Sequence, residues 1–264
     1  MKRVITYSFR FALYLVLIAP LLLFIVYSFS VRWFFPQPFP REWTSSTFVN
    51  TLNDPHILTS MENGLWIALL VSLLSLILAF PAARVLGLRQ FRGHQLIWLL
   101  FFLPTIVPPL AVGMGLNILF LQIGLAGTII GVTLAHLVPT LPYTVFTLSS
   151  SFARYDENYE HQALALGASP VQIFFRVTLQ MMFPSLMVAT LFAFLISWSQ
   201  YLLTLLIGSG QIITLPILLF SAASGGNLAV IATLSLLFLA PPVLVIAAMA
   251  HALNRHGHEI REQY

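Results

Sequence analysis

The sequence contains no cysteine and only eight acidic residues among 264, and charged residues of both signs make up just 8% of it. Without cysteine the chain cannot form disulfides, hold iron–sulfur clusters or use thiol catalysis. Soluble domains carry roughly a quarter charged residues. With 59% hydrophobic residues, the chain instead has the composition of a polytopic membrane protein.

Long apolar runs predict six membrane-spanning helices, since about 20 apolar residues are needed to cross a hydrocarbon core of ~30 Å. The predicted fold class is all-α, a six-transmembrane-helix bundle forming a single domain over residues 1–264, because backbone polar groups must be satisfied inside lipid. Prolines within the runs predict kinks or breaks. The predicted spans are Phe11–Phe29, Asn63–Ala83, Leu96–Leu121, Leu125–Ser149, Pro184–Ile207 and Leu228–Ala250, and the prolines are Pro104, Pro108, Pro109, Pro139 and Pro142.

The distribution of lysine and arginine predicts the topology, because cytoplasmic loops carry the excess of these residues. With both termini in the cytoplasm, ten of the twelve basic residues lie inside and only Arg32 and Arg41 lie outside. Residues 150–183 then form a cytoplasmic loop between spans four and five, and residues 251–264 form a short cytoplasmic tail. This asymmetry accounts for the net charge of +4 without nucleic-acid binding.

Ionisable side chains are nearly absent from the predicted spans, which argues against a proton- or sodium-coupled carrier, since such carriers usually keep one at membrane depth. His136 is the exception. It either lines a pathway or hydrogen-bonds to a neighbouring helix, and both readings stay open. The acidic residues all fall in loops or at span ends: Glu42, Asp54, Glu62, Asp156, Glu157, Glu160, Glu259 and Glu262.

Residues for nucleotide hydrolysis, hydrolase chemistry and metal binding are also missing or badly spaced. The single lysine, Lys2, belongs to no phosphate-binding loop. The serines at 149–151 have no evident base and suit helix capping. His251, His256, His258 and Glu259 are of metal-ligand types, but their loose spacing favours a solvated tail, so no metal site is predicted.

The loop between spans four and five contains a polar, alanine-rich stretch, YEHQALALGASP, from Tyr159 to Pro170. Good helix formers run from Asp156 to Leu166, and Gly167 can adopt the left-handed conformation that ends a helix. A serine N-cap and a proline at the first helical position follow at Ser169 and Pro170. We call Gly167–Pro170 the elbow. Small side chains here permit close approach of another surface, while Tyr159 and Leu166 can fill pockets on it.

The stretch from Glu160 to Pro184, EHQALALGASPVQIFFRVTLQMMFP, resembles the cytoplasmic EAA loop of the membrane subunits of binding-protein-dependent ABC importers, type I. That loop has the pattern E-A-A-x-x-x-G followed by an apolar stretch. Aligned on Gly167, its glutamate position holds His161, its first alanine Gln162 and its second Ala163.

The resemblance implies that this loop seats in a groove of a cytosolic ATP-binding subunit and transmits nucleotide-driven motion to the spans. The implied coupling residues are Glu160, His161, Ala163, Gly167 and Ala168. The chain itself would hold no cofactor, because ATP and Mg²⁺ bind to the partner. The resemblance also implies a second permease subunit, identical or different, a periplasmic or extracellular substrate-binding protein, and a location in the bacterial inner membrane.

The translocation path is expected near the polar interruption of span five, with His136, Ser199, Gln200 and Tyr201 as candidate lining residues. Bridging between helices is the alternative role for such side chains. The resemblance leaves the substrate open among ferric iron, thiamine, sulfate, polyamines and other small solutes. The alternative functions are a stand-alone carrier or channel without an ATPase, and a scaffold that transports no solute.

Overall fold

The structure is a computed structural model that describes residues 2–31, 33 and 37–262, without the side chains of residues 2–6, 8, 9, 11, 12, 17 and 256–262. The described residues are almost entirely helical, as the all-α prediction requires. The helices are α1 Lys2–Ser28, α2 Ser46–Leu52, α3 Pro55–Leu88, α4 His94–Ile106, α5 Pro109–Gln122, α6 Ile129–Phe152, α7 Asn158–Ala165, α8 Pro170–Ile173, α9 Leu179–Trp198, α10 Leu202–Gly208, α11 Leu215–Gly225 and α12 Leu228–Glu262.

Four continuous helices of the described chain are long and apolar enough to cross a membrane: Pro55–Leu88, Ile129–Phe152, Pro170–Trp198 and Leu228–Arg255. The third of these joins α8 and α9 through a π-helical turn, Phe174–Thr178. Counting the bent pair of α4 and α5 as one span makes five. The first predicted span lies in α1, whose described apolar part is the shorter Leu13–Ser28.

Two predicted spans differ from the structure. Leu96–Leu121 is not one straight helix, because α4 and α5 meet at an angle of 95°. Val107 is extended between them and Pro108 caps α5, since proline lacks the N–H that would continue the helical ladder. Pro184–Ile207 is likewise interrupted, as α9 ends at Trp198 and α10 begins only at Leu202. The prolines of α6, in contrast, lie within a continuous helix.

By internal contacts the described chain forms two compact units. One contains the residues up to Glu62 together with Thr214–Val243, and the other contains Asn63–Ile213 together with the residues from Leu244 on. In the second unit α6 is central, contacting α4, α5, α9 and α10. Its fully buried side chains include Val132, Val145, Leu148 and Phe152. The predicted tail continues α12 as a helix to Glu262, and His251 in it is exposed.

Candidate functional site

The elbow has the local geometry that its sequence predicts. α7 runs from Asn158 to Ala165, slightly shorter than predicted, and Gly167 has φ +85°. The Gly167 N–H donates to the Leu164 carbonyl at 2.9 Å, and the Ala168 N–H donates to the Ala163 carbonyl at 3.0 Å. These two bonds form a Schellman motif, which satisfies the last carbonyls of α7.

A capping box begins the next helix immediately. The Gln172 N–H donates to Ser169 Oγ at 3.3 Å, and the Ser169 N–H donates to Gln172 Oε1 at 2.8 Å. Pro170 occupies the first turn, where its missing N–H costs nothing. Because one helix closes and the next opens within four residues, the elbow is a defined turn between two helices.

The surface of this segment presents apolar side chains. Leu166 is 89% exposed, and Tyr159, Leu164 and Val171 are at least half exposed. His161 is also exposed, and a Cβ placed on Gly167 would meet nothing within 4 Å. The predicted residues His161, Ala163, Gly167 and Ala168 are therefore brought together on a segment that leaves its apolar groups uncovered.

Glu160 differs from the other predicted site residues, because its carboxylate turns into the protein. Arg84 of α3 donates to Oε2 at 2.6 Å, while Tyr155 and Thr178 each donate to Oε1 at 2.8 Å. The side chain of Glu160 is only 13% exposed. We call Arg84, Tyr155, Glu160 and Thr178 the anchor cluster.

The anchor cluster shifts two protonation equilibria. Burial alone would raise the pKa of Glu160, but hydrogen bonds from Thr178, Tyr155 and Arg84 and the charge of Arg84 outweigh it and hold the pKa below its usual value. For Tyr155, burial and the neighbouring Glu160 carboxylate raise the pKa to about 12. At neutral pH the cluster therefore holds a charged carboxylate with a neutral phenol donating to it.

A second ion pair also joins the end of α3 to the start of α7. Arg89, just beyond α3, donates to Glu157 Oε1 at 2.8 Å. The side chains of this pair are more exposed than those of Arg84 and Glu160, at 63% for Arg89 and 28% for Glu157. Exposed pairs of this kind contribute little to stability. Arg84, Arg89 and Thr178 were not among the sequence-predicted site residues, since nothing local in the sequence connects α3 to Glu157 and Glu160.

The interruption between α9 and α10 is braced by His136. His136 lies on α6, 1% exposed, with Nδ1 3.0 Å from Ser197 Oγ and Nε2 3.0 Å from Thr204 Oγ1. Thr204 gives its hydroxyl hydrogen to the Gln200 carbonyl at 2.9 Å. With its hydrogen on that carbonyl, Thr204 Oγ1 can accept a hydrogen bond from Nε2, and Nδ1 can accept one from Ser197. The imidazole thus bridges both sides of the break, as the hydrogen-bonded reading of His136 expects.

The break also borders a cavity of about 220 Å³ in which Thr105, Tyr143 and Gln200 contribute polar groups among prolines and aliphatic side chains. Ser199 is exposed, whereas Gln200 and Tyr201 are half-buried. The structure therefore places the predicted lining residues Ser199, Gln200 and Tyr201 at a helix break, but His136 lies inside the packed core beside it.

Acidic, histidine and cysteine side chains form no group of three suited to a metal ion within the described part of the chain. Of the tail residues considered as ligands, His256, His258 and Glu259 have side chains outside the described set.

A family model described as "Binding-protein-dependent transport system inner membrane component" matches residues 75–256. This range includes the anchor cluster, the elbow and the break between α9 and α10. The match therefore covers the segments whose geometry is described above.

Individual relatives extend the similarity over most of the chain. PhnV of Salmonella typhimurium, provisionally named a 2-aminoethylphosphonate transport system permease protein, is 30% identical over 244 residues, covering 91% of this chain and 90% of PhnV. PotI of Escherichia coli, a putrescine transport system permease protein, is 27% identical over 222 residues, covering 80% of this chain and 76% of PotI.

A solved structure shares the fold. The crystal structure of a bacterial ABC transporter involved in the import of the acidic polysaccharide alginate contains a chain that superimposes with a TM-score of 0.75. The alignment covers 95% of both chains at 16% sequence identity. At that identity the likeness concerns the arrangement of helices alone.

Proposed function

This chain belongs to the family of binding-protein-dependent transport system inner membrane components, and on that premise we propose that it couples to a cytosolic ATP-binding subunit through residues Glu160–Pro184. As a member of this family it is a multi-pass membrane permease subunit of an ABC transport system and not itself an enzyme. In the proposal it forms half of an import pathway, and ATP and Mg²⁺ act on the partner.

One observation carries the coupling proposal: the apolar surface at the elbow. Leu166 is 89% exposed in a loop that also leaves Tyr159, Leu164 and Val171 largely uncovered. Hydrophobic side chains grouped on a water-facing segment mark a protein interaction site. Leu166 lies beside Gly167 and Ala168, which are small enough to leave the backbone accessible. This combination fits a groove on a soluble partner.

The proposed orientation places this surface in the cytoplasm. Ten of the twelve lysine and arginine residues then lie on the cytoplasmic side, together with both termini. Hydrogen bonds from Arg84 to Glu160 and from Arg89 to Glu157 support a common side for the end of α3 and the elbow.

A complete pathway in this proposal needs a second permease subunit, since the chain contributes one set of spans. A substrate-binding protein on the opposite face would deliver the solute. Ser199, Gln200 and Tyr201 are proposed to line the path, because they interrupt an otherwise apolar helix beside a cavity of about 220 Å³. His136 is proposed to brace that interruption through Ser197 and Thr204.

Copurification tests the proposal. The tagged chain, expressed with its native neighbours and extracted in mild detergent, should retain a soluble subunit that carries a nucleotide-binding loop, identified by mass spectrometry. Leu166→Asp should release that subunit, because the carboxylate would be buried against the partner groove. Leu166→Met, which conserves volume and polarity, is the matched control and should retain it.

Two results would overturn the coupling proposal. The first is a folded wild-type chain that purifies and transports without an ATP-binding subunit, which would favour a stand-alone carrier or channel. The second is a Leu166→Asp variant that keeps the subunit at the wild-type ratio, which would place the docking surface elsewhere.

A further inference from the structure

The anchor cluster joins three separate parts of the chain through one carboxylate. Arg84 belongs to α3, Thr178 ends the π-helical turn before α9, and Tyr155 lies between α6 and α7. Glu160 itself lies within the first turn of α7. The carboxylate is thus the point at which α7 is tied both to a preceding spanning helix and to the helix that follows it.

The hydrogen-bonding capacity of Glu160 is directed inward on both oxygens. Oε1 accepts two hydrogen bonds, from Tyr155 and Thr178, and Oε2 accepts one from the Arg84 guanidinium. Thr178 is fully buried and Glu160 is 13% exposed, while neighbouring His161 points to solvent. Hydrogen bonds involving charged groups are the stronger ones, and partial burial limits their screening. The carboxylate is therefore engaged by its own chain.

The π-helical turn determines which side chain of this segment faces Glu160. Phe174–Thr178 is the only such turn among the described residues, and it separates α8 from α9. π-Helical turns alter the direction in which later side chains project and are frequent at functional sites. Here Thr178, the last residue of the turn, projects toward Glu160. A movement of α7 would therefore act on α9 at the turn and on α3 at Arg84.

We propose that Glu160 is a positioning residue that ties the partner-docking helix α7 to α3 and α9, so that displacement of α7 is transmitted to both spanning helices. This inference rests on the coupling function proposed above. It assigns docking to the exposed residues around Leu166 and transmission to the buried face of α7, so the two roles are carried by different side chains.

Glu160→Gln separates the roles, because it retains the acceptor and the size of the side chain but removes the charge facing Arg84. In the assembled transporter we expect the ATP-binding subunit to stay bound and its ATP hydrolysis to stay within about twofold of wild type. The ATP consumed per substrate molecule imported should rise about tenfold, equivalent to about 1.4 kcal/mol. Arg84→Gln should behave alike, and the double variant should be no worse than either single variant, since both remove the same pair.

Glu157→Gln is the matched control. It removes the same charge three residues away in the more exposed pair with Arg89, and it should leave the ATP-to-substrate ratio at the wild-type value. A purely structural role for Glu160 would lower the yield, ATP hydrolysis and uptake together without changing their ratio. That result, or an equal rise in the ratio for Glu157→Gln, would overturn the inference.

Distance measurements supply a readout that does not depend on transport. The chain has no native cysteine, so a spin-label pair can be placed at the exposed positions Gln90 and Gln162 without other changes. Glu160→Gln should broaden the distance distribution between them, and an unchanged distribution would contradict the tie. If Glu160→Gln instead releases the ATP-binding subunit as Leu166→Asp does, Glu160 contacts the partner and the positioning role fails. Failure of the coupling function itself would appear in the wild type, as the absence of that subunit.

Discussion

Substitutions at Gly167 measure how much the conformation of the elbow matters. Gly167 has φ +85°, and a Cβ at this position would meet nothing within 4 Å. Gly167→Ala therefore adds no clash, and its cost is that of the left-handed backbone, about 1–2 kcal/mol for a residue with a side chain. That cost reduces the population of the observed turn by about 5- to 30-fold relative to competing conformations.

Two further variants at the same position bracket the effect. Asparagine tolerates the left-handed region, so Gly167→Asn should keep most of the activity. Proline fixes φ near −65° and lacks the N–H, so Gly167→Pro loses both the turn and the bond to the Leu164 carbonyl. Uptake should be highest for Gly167→Asn, lower for Gly167→Ala and abolished for Gly167→Pro, although the Gly167→Pro chain should remain in the membrane.

Gly93 provides a control for backbone strain alone. It has φ +91°, and nothing would lie within 4 Å of its Cβ, but it precedes α4 and lies outside the elbow. Gly93→Ala carries the same conformational cost, yet uptake should stay near wild type. The assay is substrate uptake in proteoliposomes with the ATP-binding subunit, normalised to the amount of permease. Equal uptake for the Asn, Ala and Pro variants at position 167, or equal loss for Gly93→Ala, would refute the reasoning.

Two more predictions concern the buried polar groups. His136→Leu removes the imidazole that the hydroxyls of Ser197 and Thr204 contact, and should destabilise the protein by about 1–2 kcal/mol. The melting temperature in detergent should fall by several degrees. An unchanged melting temperature would contradict the brace between α9 and α10. Because the folded-state pKa of Tyr155 is raised to about 12, its contribution is fully present below the unfolded value of about 10 and is lost as pH rises through 12. A spin label at Gln162 should therefore show constant mobility from about pH 6 to 9 and greater mobility above about pH 10. Tyr155→Phe should remove this rise in mobility. A rise that persists in Tyr155→Phe would contradict its assignment to ionisation of Tyr155.

Local chemistry made the elbow predictable from the sequence. Gly167, Ser169 and Pro170 each impose their conformation through interactions within four or five residues, and the Schellman motif and capping box appear where those residues predict them. The all-α class followed equally directly, because the bilayer excludes unsatisfied backbone. These are features in which neighbouring residues decide the outcome.

Features that depend on distant residues were not predictable in the same way. The resemblance includes Glu160 among the coupling residues, but the hydrogen bond of its carboxylate with Arg84, 76 positions earlier in the chain, could not be predicted from the sequence. The end of α9 was also missed, since the apolar run continues through Ile207 and no glycine or proline marks the interruption. The polar residues Ser199 and Gln200 were the available signal. The prolines at 108 and 109 indicated a break, but not an angle of 95°.

That angle has a consequence for the order in which the chain assembles during synthesis. α4 and α5 contain 13 and 14 residues, which at a rise of 1.5 Å gives each a length of roughly 20 Å, short of a ~30 Å hydrocarbon core. Neither half can cross alone, and the backbone groups at their junction need cover from other helices. Part of the packing around α4 and α5 comes from α6 and α10, which are translated later. The third span therefore reaches its final shape only after the ribosome has passed Gly208, so a truncation before α10 should leave it unfinished.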